Sequence, residues 1–366
     1  MGPIRVLVVD DTIIYRKIIG DVLSSIPDVE VVGSAHNGKI ALSRIAQLKP
    51  DLVTLDIEMP QMSGIEVLEV LQGIPDAPLA VMLSTLTQKG SDMTIRALEL
   101  GAFDFISKPG SGTMAENMVK VKAALEPIIS AFKRQKQIRN RLRGKIAGIT
   151  SPVTPRPAPA VLQAKTAQAR TRNTPSEIVG IGISTGGPNA LARIMPMLST
   201  KLNVPILIVQ HMPPLFTQSL AKSLNGKCEL TVKEAVTGEP LVPNTVYIAP
   251  GGKQMKIVAG ADGRTRNIKI TDDPPENSCK PSVDYLFRSI AEHYVGRATG
   301  VIMTGMGSDG TLGVAAMKRN GGIIIAQDKE SCTVYGMPKE PVESGLADII
   351  APLDQIAEKI TKTIIR

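Results

Sequence analysis

The chain has 366 residues, more than a single hydrophobic core usually spans, so two domains with a connector are the first expectation. Hydrophobic residues make up 43% and charged residues 21%, which is ordinary for a globular protein. No apolar run approaches the roughly 18 residues that a membrane span needs, so we expect no membrane insertion. The net charge of +8 raises the question of a nucleic-acid partner.

The positive charge is concentrated in one segment. Residues 126 to 176 hold 11 basic and one acidic side chain, whereas residues 1 to 125 hold 11 and 15 and residues 177 to 366 hold 20 and 18. Beyond Phe132 the basic segment has no interleaved aromatic residue, and no DNA-binding motif lies beside it, although nucleic-acid recognition would require such features. We therefore expect no nucleic-acid partner.

The N-terminus and the cysteines indicate the compartment. Met1 and Gly2 lead almost directly into a strand-like run, which leaves no room for a signal peptide, so we expect a cytoplasmic protein. Cys228, Cys279 and Cys332 are odd in number and widely spaced, which argues against a disulfide framework and against a Cys-based zinc site. We expect these thiols to be buried or inert.

Residues 1 to 125 alternate short β-rich runs with amphipathic stretches of about 10 to 15 residues. The predicted strands are Ile4 to Val9, Val29 to Ser34, Asp51 to Ile57, Leu79 to Ser84 and Phe103 to Ser107. Strands that are apolar on both faces and alternate with helices predict a parallel sheet covered on both sides. Its ligand site should lie at the carboxyl ends of the strands.

Polar side chains follow four of these strands. Asp10 and Asp11 end the first strand and Asp56 ends the third, so three carboxylates meet at one edge of the sheet. Mg²⁺ would relieve their repulsion, because it prefers oxygen ligands and commonly joins few carboxylates to phosphate oxygens. Ser84 and Lys108, at the ends of the fourth and fifth strands, could hold the oxygens of a phosphoryl group. Each residue alone could be structural, but the convergent set predicts a phosphorylation site.

The same residues carry a family resemblance. Val8-Val9-Asp10-Asp11, Leu55-Asp56-Ile57-Glu58-Met59-Pro60, Ser63-Gly64 and Ser107-Lys108-Pro109 resemble the response-regulator receiver family over residues 1 to about 125. The resemblance implies a flavodoxin-like fold with Asp56 as the phosphoacceptor and a histidine kinase as the phosphodonor. It implies Mg²⁺ binding by Asp10, Asp11, Asp56 and the backbone carbonyl of Glu58, and switch roles for Ser84, Phe105 and Lys108.

Residues 126 to 176 are predicted to link two domains. A basic, helix-like stretch is followed by a tract rich in Pro, Ala and Thr that contains Pro152, Pro155, Pro157 and Pro159. Such a composition cannot bury a core and favours extended chain.

A second alternating series, over residues 177 to 366, predicts another doubly wound, Rossmann-like parallel-sheet domain. Its predicted strands are Ile178 to Ile183, Pro205 to Gln210, Thr245 to Ala249, Thr299 to Met303, Gly321 to Ala326 and Ala347 to Ile350.

The first of these strands runs into a glycine-rich turn. A dinucleotide site is disfavoured, because Thr185 stands where that motif needs glycine and the next strand ends in Gln210-His211 instead of an acid. Gly182-Ile183-Ser184-Thr185-Gly186 instead fits a nucleophile elbow, in which glycines permit a tight strand-to-helix turn that exposes a serine. Alone, this match is a weak signal.

Two further groups strengthen the serine hypothesis. His211 follows the next strand and Asp309 lies just beyond a later one, so both are expected at the same edge as Ser184. Serine needs a base to remove its proton, and a histidine oriented by a carboxylate supplies one near neutral pH. Separately, His211 could cap a helix and Asp309 could be an ordinary turn residue. The order Ser, His, Asp differs from that of α/β-hydrolases.

The amino-acid sequences of several segments resemble the catalytic domain of the chemotaxis methylesterase family. The matching segments are Gly182 to Pro188, Gln210 to Met212, Ile248 to Gly251, Pro281 to Asp284, Thr304 to Gly310 and Tyr335 to Pro338. The resemblance implies hydrolysis of glutamate γ-methyl esters on chemoreceptors, with methanol release, and deamidation of certain receptor glutamines. It gives Ser184 as nucleophile, His211 as base and Asp309 as its orienting group. No cofactor is expected for hydrolysis.

An oxyanion hole is required, because the tetrahedral intermediate places charge on the former carbonyl oxygen. We assign it to backbone N–H groups near Thr185 and Met306. We expect a monomer whose unphosphorylated N-terminal domain covers the serine and whose phosphorylation opens it.

Two other functions remain as alternatives. A DNA-binding response regulator is disfavoured, because the C-terminal region shows no helix-turn-helix pattern. A non-catalytic scaffold that binds receptors is disfavoured by the intact set of Ser184, His211 and Asp309.

Overall fold

The N-terminal domain is a five-stranded sheet between helices. The computed structural model describes residues 2–147 and 174–365. The strands are β1 (Ile4–Val9), β2 (Val29–Ala35), β3 (Leu52–Asp56), β4 (Leu79–Ser84) and β5 (Asp104–Ser107). The helices are α1 (Ile13–Ser24), α2 (Gly38–Leu48), α3 (Gly64–Gln72), α4 (Gln88–Glu99) and α5 (Met114–Ala147). All paired strands are parallel in the order β2-β1-β3-β4-β5, which confirms the predicted flavodoxin-like topology.

Burial explains why the central strands are nearly continuous apolar runs. β3 is buried at every position, and β1 at every position except Arg5. Helices cover both faces of the parallel sheet, so side chains on both faces of these strands must be apolar. Asp10 and Asp56 are therefore buried where β1 and β3 reach the carboxyl edge of the sheet.

Helix α5 continues beyond the predicted end of the N-terminal domain at residue 125. Ile129 and Phe132 are buried in the core of this domain, and Phe132 packs edge-on against Phe103 with ring centroids 6.2 Å apart. The part of the predicted linker up to Ala147 is thus helical. The proline-rich tract from Pro152 to Pro159 lies outside the described residues.

The C-terminal domain is built on a seven-stranded parallel sheet. Its strands are β6 (Ile178–Ile183), β7 (Ile206–Gln210), β8 (Thr231–Glu234), β9 (Thr245–Ile248), β10 (Gln254–Ala259), β11 (Arg266–Thr271), β12 (Ala298–Ile302), β13 (Ile323–Gln327) and β14 (Ile349–Ala351). The helices are α6 (Gly187–Ile194), α7 (Phe216–Asn225), α8 (Val283–His293), α9 (Thr311–Arg319), α10 (Lys339–Glu343) and α11 (Leu353–Ile364). The sheet order is β14-β13-β12-β6-β7-β9-β8, while β10 and β11 form a separate antiparallel pair.

This topology fixes where a ligand site belongs. From β6 the chain moves outward through β7, β8 and β9 and then returns to β12 on the other side of β6. The direction of winding therefore reverses between β6 and β12. In open parallel sheets such a reversal leaves a crevice at the carboxyl edge, where ligands bind.

Buried hydroxyl groups join the two ends of the C-terminal domain. Ser176 Oγ is 2.8 Å from Thr299 Oγ1, and Thr299 Oγ1 donates to Thr363 Oγ1 at 2.7 Å. The Ser176 N–H also donates to the Thr363 carbonyl at 2.9 Å. The domain therefore includes Ser176, one residue before its predicted start at 177, and α11 closes against β12.

Within the described residues, no helix combines the length and the apolar character that a bilayer crossing demands.

Candidate functional site

The structure brings the three predicted hydrolytic residues to one crevice. Ser184 follows β6, His211 follows β7, and Asp309 lies in the loop between β12 and α9. These positions flank the winding reversal of the sheet, where a binding crevice is expected.

The loop after β6 holds Ser184 against a second glycine-rich loop. Gly186 has a φ of 74°, a conformation that glycine adopts without strain. Helix α6 begins one residue later. The Ser184 N–H donates to the Thr304 carbonyl at 3.0 Å. A Cβ on Gly305 would lie 2.8 Å from Ser184 Cβ, so only glycine fits there. The half-buried serine is thereby fixed beside the loop that carries Met306.

His211 and Asp309 form a hydrogen-bonded pair. His211 Nε2 is 2.8 Å from Asp309 Oδ2. Burial alone would lower the pKa of His211, but the bond to Asp309 and the nearby Cys279 outweigh it and raise the pKa to about 9. Burial alone would raise the pKa of Asp309, but His211 and the N–H groups of Val283 and Asp284 hold it below its usual range. The pair therefore favours an ionised Asp309 that fixes the imidazole.

Asp309 lies at the N-terminus of α8. Its Oδ1 accepts from Ser282 Oγ at 2.8 Å and from the Asp284 N–H at 3.1 Å, and its Oδ2 accepts from the Val283 N–H at 2.7 Å. The free N–H groups and the dipole at a helix N-terminus stabilise a negative charge.

The crevice opens into a cavity of about 310 Å³ lined by Ser184, Thr185 and His211 on one side and by Phe105 and Pro127 on the other. Among the hydrogen bonds of the described residues, none joins Ser184 Oγ to His211. Catalytic hydrogen bonds are often long without substrate and shorten only in the reacting complex.

The predicted oxyanion donors are available. Thr185 follows Ser184 in the loop after β6, and Met306 lies in the neighbouring loop after β12. In the described part of the chain the backbone N–H groups of these two residues donate to no protein acceptor. Two such free donors beside a serine are what a tetrahedral intermediate requires. Their role as an oxyanion hole stays a prediction.

Three site residues went unassigned in the sequence. Gln210 Nε2 donates to the carbonyls of Ser184 and His211, at 3.0 and 3.3 Å, and so ties the two loops together. Ser282 positions Asp309, and Cys279 Sγ lies 3.8 Å from His211 Nδ1. Polar side chains at strand and helix ends were the available signal for Gln210 and Ser282. No pattern in the sequence pointed to Cys279.

The second site lies at the carboxyl edge of the N-terminal sheet. Carboxylate oxygens of Asp10, Asp11 and Asp56 lie within 4.8 Å of one another. Lys108 Nζ is 2.7 Å from Asp10 Oδ2 and 2.7 Å from Asp56 Oδ2. Burial raises the pKa of Asp56 to about 6, although Lys108 opposes the rise. Burial alone would lower the pKa of Lys108, but Asp56 and Asp10 outweigh it and raise that pKa.

These residues fit Mg²⁺. The three close carboxylates offer the oxygen ligands that this ion prefers, and Lys108 alone cannot neutralise them. Asp11, Asp56 and Lys108 line a cavity of about 390 Å³ together with Glu58. The Glu58 carboxylate pairs with Lys89 at 2.7 Å. Metal binding by the Glu58 backbone carbonyl stays a prediction.

Ser84 and Phe105 face away from this carboxylate cluster. Ser84 Oγ donates to the Gly90 carbonyl at 3.1 Å and accepts from Thr94 Oγ1 at 2.7 Å. Phe105 stacks on Phe216 of α7, with ring centroids 4.7 Å apart and an interplanar angle of 21°. The two predicted switch residues thus contact α4 and the C-terminal domain.

The two domains pack through α4 and β5 on one side and α6 and α7 on the other, a surface that we call the domain interface. Ser219 Oγ is 2.8 Å from Ser91 Oγ and donates to Asp92 Oδ1 at 2.5 Å. Lys227 pairs with Glu99 at 2.7 Å. The N-terminal domain therefore lies over the Ser184 crevice.

A phosphoacceptor-type cluster on one sheet and a serine, histidine and aspartate on the other define a response regulator whose output domain is a serine hydrolase. A family model described as response regulator receiver domain matches residues 6–120, and one described as CheB methylesterase matches residues 179–360.

Similar proteins extend over the whole chain. The protein-glutamate methylesterase/protein-glutamine glutaminase of Desulfotalea psychrophila is 56% identical over 364 residues, covering 100% of this chain and 99% of that protein. The Bacillus subtilis protein of the same description is 42% identical, covering 99% and 98%. The solved catalytic domain of Thermotoga maritima CheB methylesterase is 44% identical with a TM-score of 0.50, covering 51% of this chain and 98% of that one. The chain belongs to the CheB methylesterase family.

Proposed function

We propose that the chain is a chemotaxis protein-glutamate methylesterase that hydrolyses glutamate γ-methyl esters on methyl-accepting receptors. The observation that carries the proposal is the His211–Asp309 hydrogen bond beside Ser184, at the crevice of a family catalytic domain. Glutamine side chains of the receptors are the second substrate, because their amide carbonyl offers the same site of attack and leaves ammonia instead of methanol.

The hydrogen-bond pattern assigns the proton path. His211 Nε2 bonds the ionised Asp309, so in the neutral His211 that acts as the base Nε2 carries the proton and Nδ1 carries the lone pair. Nδ1 accepts the Ser184 proton as Ser184 Oγ bonds to the ester carbon, and the Thr185 and Met306 N–H groups bind the resulting oxyanion. The proton then leaves with methanol. Water, deprotonated by the same nitrogen, releases glutamate from the serine.

The N-terminal domain inhibits the unphosphorylated enzyme by covering Ser184. Phe105 and Pro127 of this domain wall the cavity opposite Ser184 and His211, so a receptor helix about 10 Å wide meets the N-terminal domain before it reaches the serine. Hydrolysis therefore requires the domain interface to open.

Phosphorylation opens the domain interface by moving Ser84 and Phe105, which contact α4 and the C-terminal domain in the unphosphorylated arrangement. A histidine kinase of the same chemotaxis system donates the phosphoryl group to Asp56, with Asp10 and Asp11 holding Mg²⁺, which neutralises phosphoryl charge when bound. Lys108 then binds a phosphoryl oxygen in place of a carboxylate. Ser84 gives up its bonds to Gly90 and Thr94 for another oxygen, and Phe105 leaves Phe216.

Methanol release from a methylated receptor fragment tests both halves of the proposal. We expect Ser184→Ala to lower the rate by at least about a thousandfold, because the nucleophile is lost. A small-molecule phosphodonor with Mg²⁺ should stimulate the wild type and not Asp56→Ala.

Thermal unfolding of both variants is the control for folding. Undiminished release by Ser184→Ala would favour the scaffold function, and equal stimulation of Asp56→Ala would exclude Asp56 as the switch.

A further inference from the structure

Cys279 lies beside the catalytic histidine on an ordered loop. Its Sγ is 3.8 Å from His211 Nδ1. The loop is closed by two reciprocal backbone hydrogen bonds, from the Glu276 N–H to the Cys279 carbonyl at 3.1 Å and from the Cys279 N–H to the Glu276 carbonyl at 2.7 Å. Asn277 ties the loop to α8 through Asp284 at 2.8 Å. The thiol is therefore held next to His211 by its own loop.

The distance between the two atoms suits a shared metal ion. Zinc–nitrogen bonds of about 2.0 Å and zinc–sulfur bonds of about 2.3 Å, at a tetrahedral angle, separate the two ligand atoms by about 3.5 Å. The observed 3.8 Å is within a few tenths of an ångström of that value. A direct hydrogen bond between the same atoms would be long and weak.

The surroundings of His211 also match those of a metal-binding histidine. Such a histidine commonly donates its other ring N–H to a carboxylate, which leaves the facing nitrogen unprotonated. Asp309 is such a carboxylate, since its Oδ2 lies 2.8 Å from His211 Nε2. Although an Asp309 oxygen lies within 4.8 Å of the other two ligand atoms, both Asp309 oxygens already accept two hydrogen bonds, so Asp309 orients His211 and does not bind the ion.

We propose that Cys279 and His211 bind a thiophilic divalent cation, Zn²⁺ above all, and that this ion inhibits the hydrolase by occupying His211 Nδ1. Binding displaces the thiol proton of Cys279 and, from protonated His211, the Nδ1 proton. Both protons are released to solvent, and two water molecules complete the tetrahedron. The inhibition rests on the proposed catalytic role of His211, whereas metal binding does not.

The other two cysteines provide matched controls. Burial raises the pKa of the Cys228 thiol to about 11 and raises that of Cys332 further above its usual range. Thiols that stay protonated are poor metal ligands. Cys228→Ser and Cys332→Ser therefore remove one thiol each without removing the proposed site.

Cobalt absorption tests binding without any activity measurement. Metal-free full-length protein is titrated with Co²⁺ in the presence of excess Mg²⁺, which occupies the carboxylates of the N-terminal domain and has little affinity for thiols. We expect a thiolate-to-cobalt charge-transfer band and tetrahedral visible bands in the wild type, Cys228→Ser and Cys332→Ser. Both bands should be lost in Cys279→Ser. A charge-transfer band that survives in Cys279→Ser, or its absence from the wild type, would overturn the proposal.

Inhibition is measured on the same proteins by titrating Zn²⁺ against methanol release, each variant relative to its own metal-free rate. The Zn²⁺ concentration for half-inhibition should rise at least about tenfold in Cys279→Ser and stay within about twofold in the two controls. A chelator should restore the wild-type rate. Equal inhibition of all four proteins would place the inhibitory ion elsewhere. If no protein releases methanol, the proposed function fails while the cobalt spectrum still decides the metal site.

Discussion

The charge of Asp309 decides what His211 can do. The carboxylate is buried but ionised, because α8 donates backbone N–H groups to it and Ser282 adds a hydroxyl. The carboxylate in turn keeps the proton of neutral His211 on Nε2, which leaves the lone pair on Nδ1. Asp309 therefore sets the orientation and tautomer of the proposed base and, together with Cys279, raises its pKa.

Replacing Asp309 by Asn tests this dependence. We expect Asp309→Asn to lower kcat by about 10³- to 10⁴-fold, because the amide no longer fixes the tautomer or stabilises the imidazolium. Hydrolysis needs neutral His211, so the rate rises with pH through the His211 pKa. Without the negative charge that pKa falls from about 9, and the acidic limb of kcat/KM should move to lower pH.

The pH profile of receptor-fragment hydrolysis measures both effects. Asp284→Asn is the matched control, since the Asp284 carboxylate accepts from the Gly313 N–H at 2.6 Å and not from His211. An acidic limb that stays in place in Asp309→Asn would show that Asp309 does not set the His211 pKa.

At the residue scale, the sequence pattern predicted the site residues that follow strands, and it missed Cys279, which lies in a loop. Ser184 and His211 directly follow predicted strands, so the edge rule brings them together. Cys279 precedes α8 by four positions in a loop with no periodicity, and only the folded loop carries it to His211. All three thiols are half-buried, and their predicted inertness stays a prediction.

At the element scale, each predicted strand begins and ends within two residues of an observed one. The strands that were missed are β8, β10 and β11. In β11 only Ile268 and Ile270 are apolar, so the short run resembles an exposed loop as much as a half-buried strand. The helix-like stretch predicted after residue 125 is the continuation of α5, which runs through Pro127 although proline in a helix interior usually breaks the helix.

The contact between β5 and α7 makes a prediction about basal activity. We expect Phe105→Leu to raise the unphosphorylated rate by about 2- to 10-fold. It loses a stacked pair worth about 0.5 to 1.5 kcal/mol in the closed arrangement. Methanol release without phosphodonor is the measurement.

Phe103→Leu is the control, since Phe103 contacts Phe132 inside the receiver domain and not the catalytic domain. If both variants raised the basal rate equally, loosening of the receiver and not loss of the interface stack would be the cause.

At the scale of the whole molecule, the proposed inhibition makes the receiver a removable cover over the Ser184 crevice. We expect residues 174–366 alone to exceed the unphosphorylated full chain by more than about fivefold on receptor fragment, because the cover over Ser184 is gone. This fragment keeps Ser176, whose bonds to Thr299 and Thr363 close the catalytic domain. Rates on a small methyl ester provide the control, since a small substrate depends less on the opening. A fragment no faster than the full chain would contradict obstruction.

The hydroxyl chain from Ser176 through Thr299 to Thr363 also sets the order in which the protein can become active during translation. The receiver is complete once α5 has emerged from the ribosome, and domains generally fold from the N-terminus as they are made. The catalytic domain cannot close until α11 is synthesised, because α11 bonds the segment that opens the domain. Under the proposed inhibition, the domain that covers Ser184 is therefore complete before the catalytic domain is.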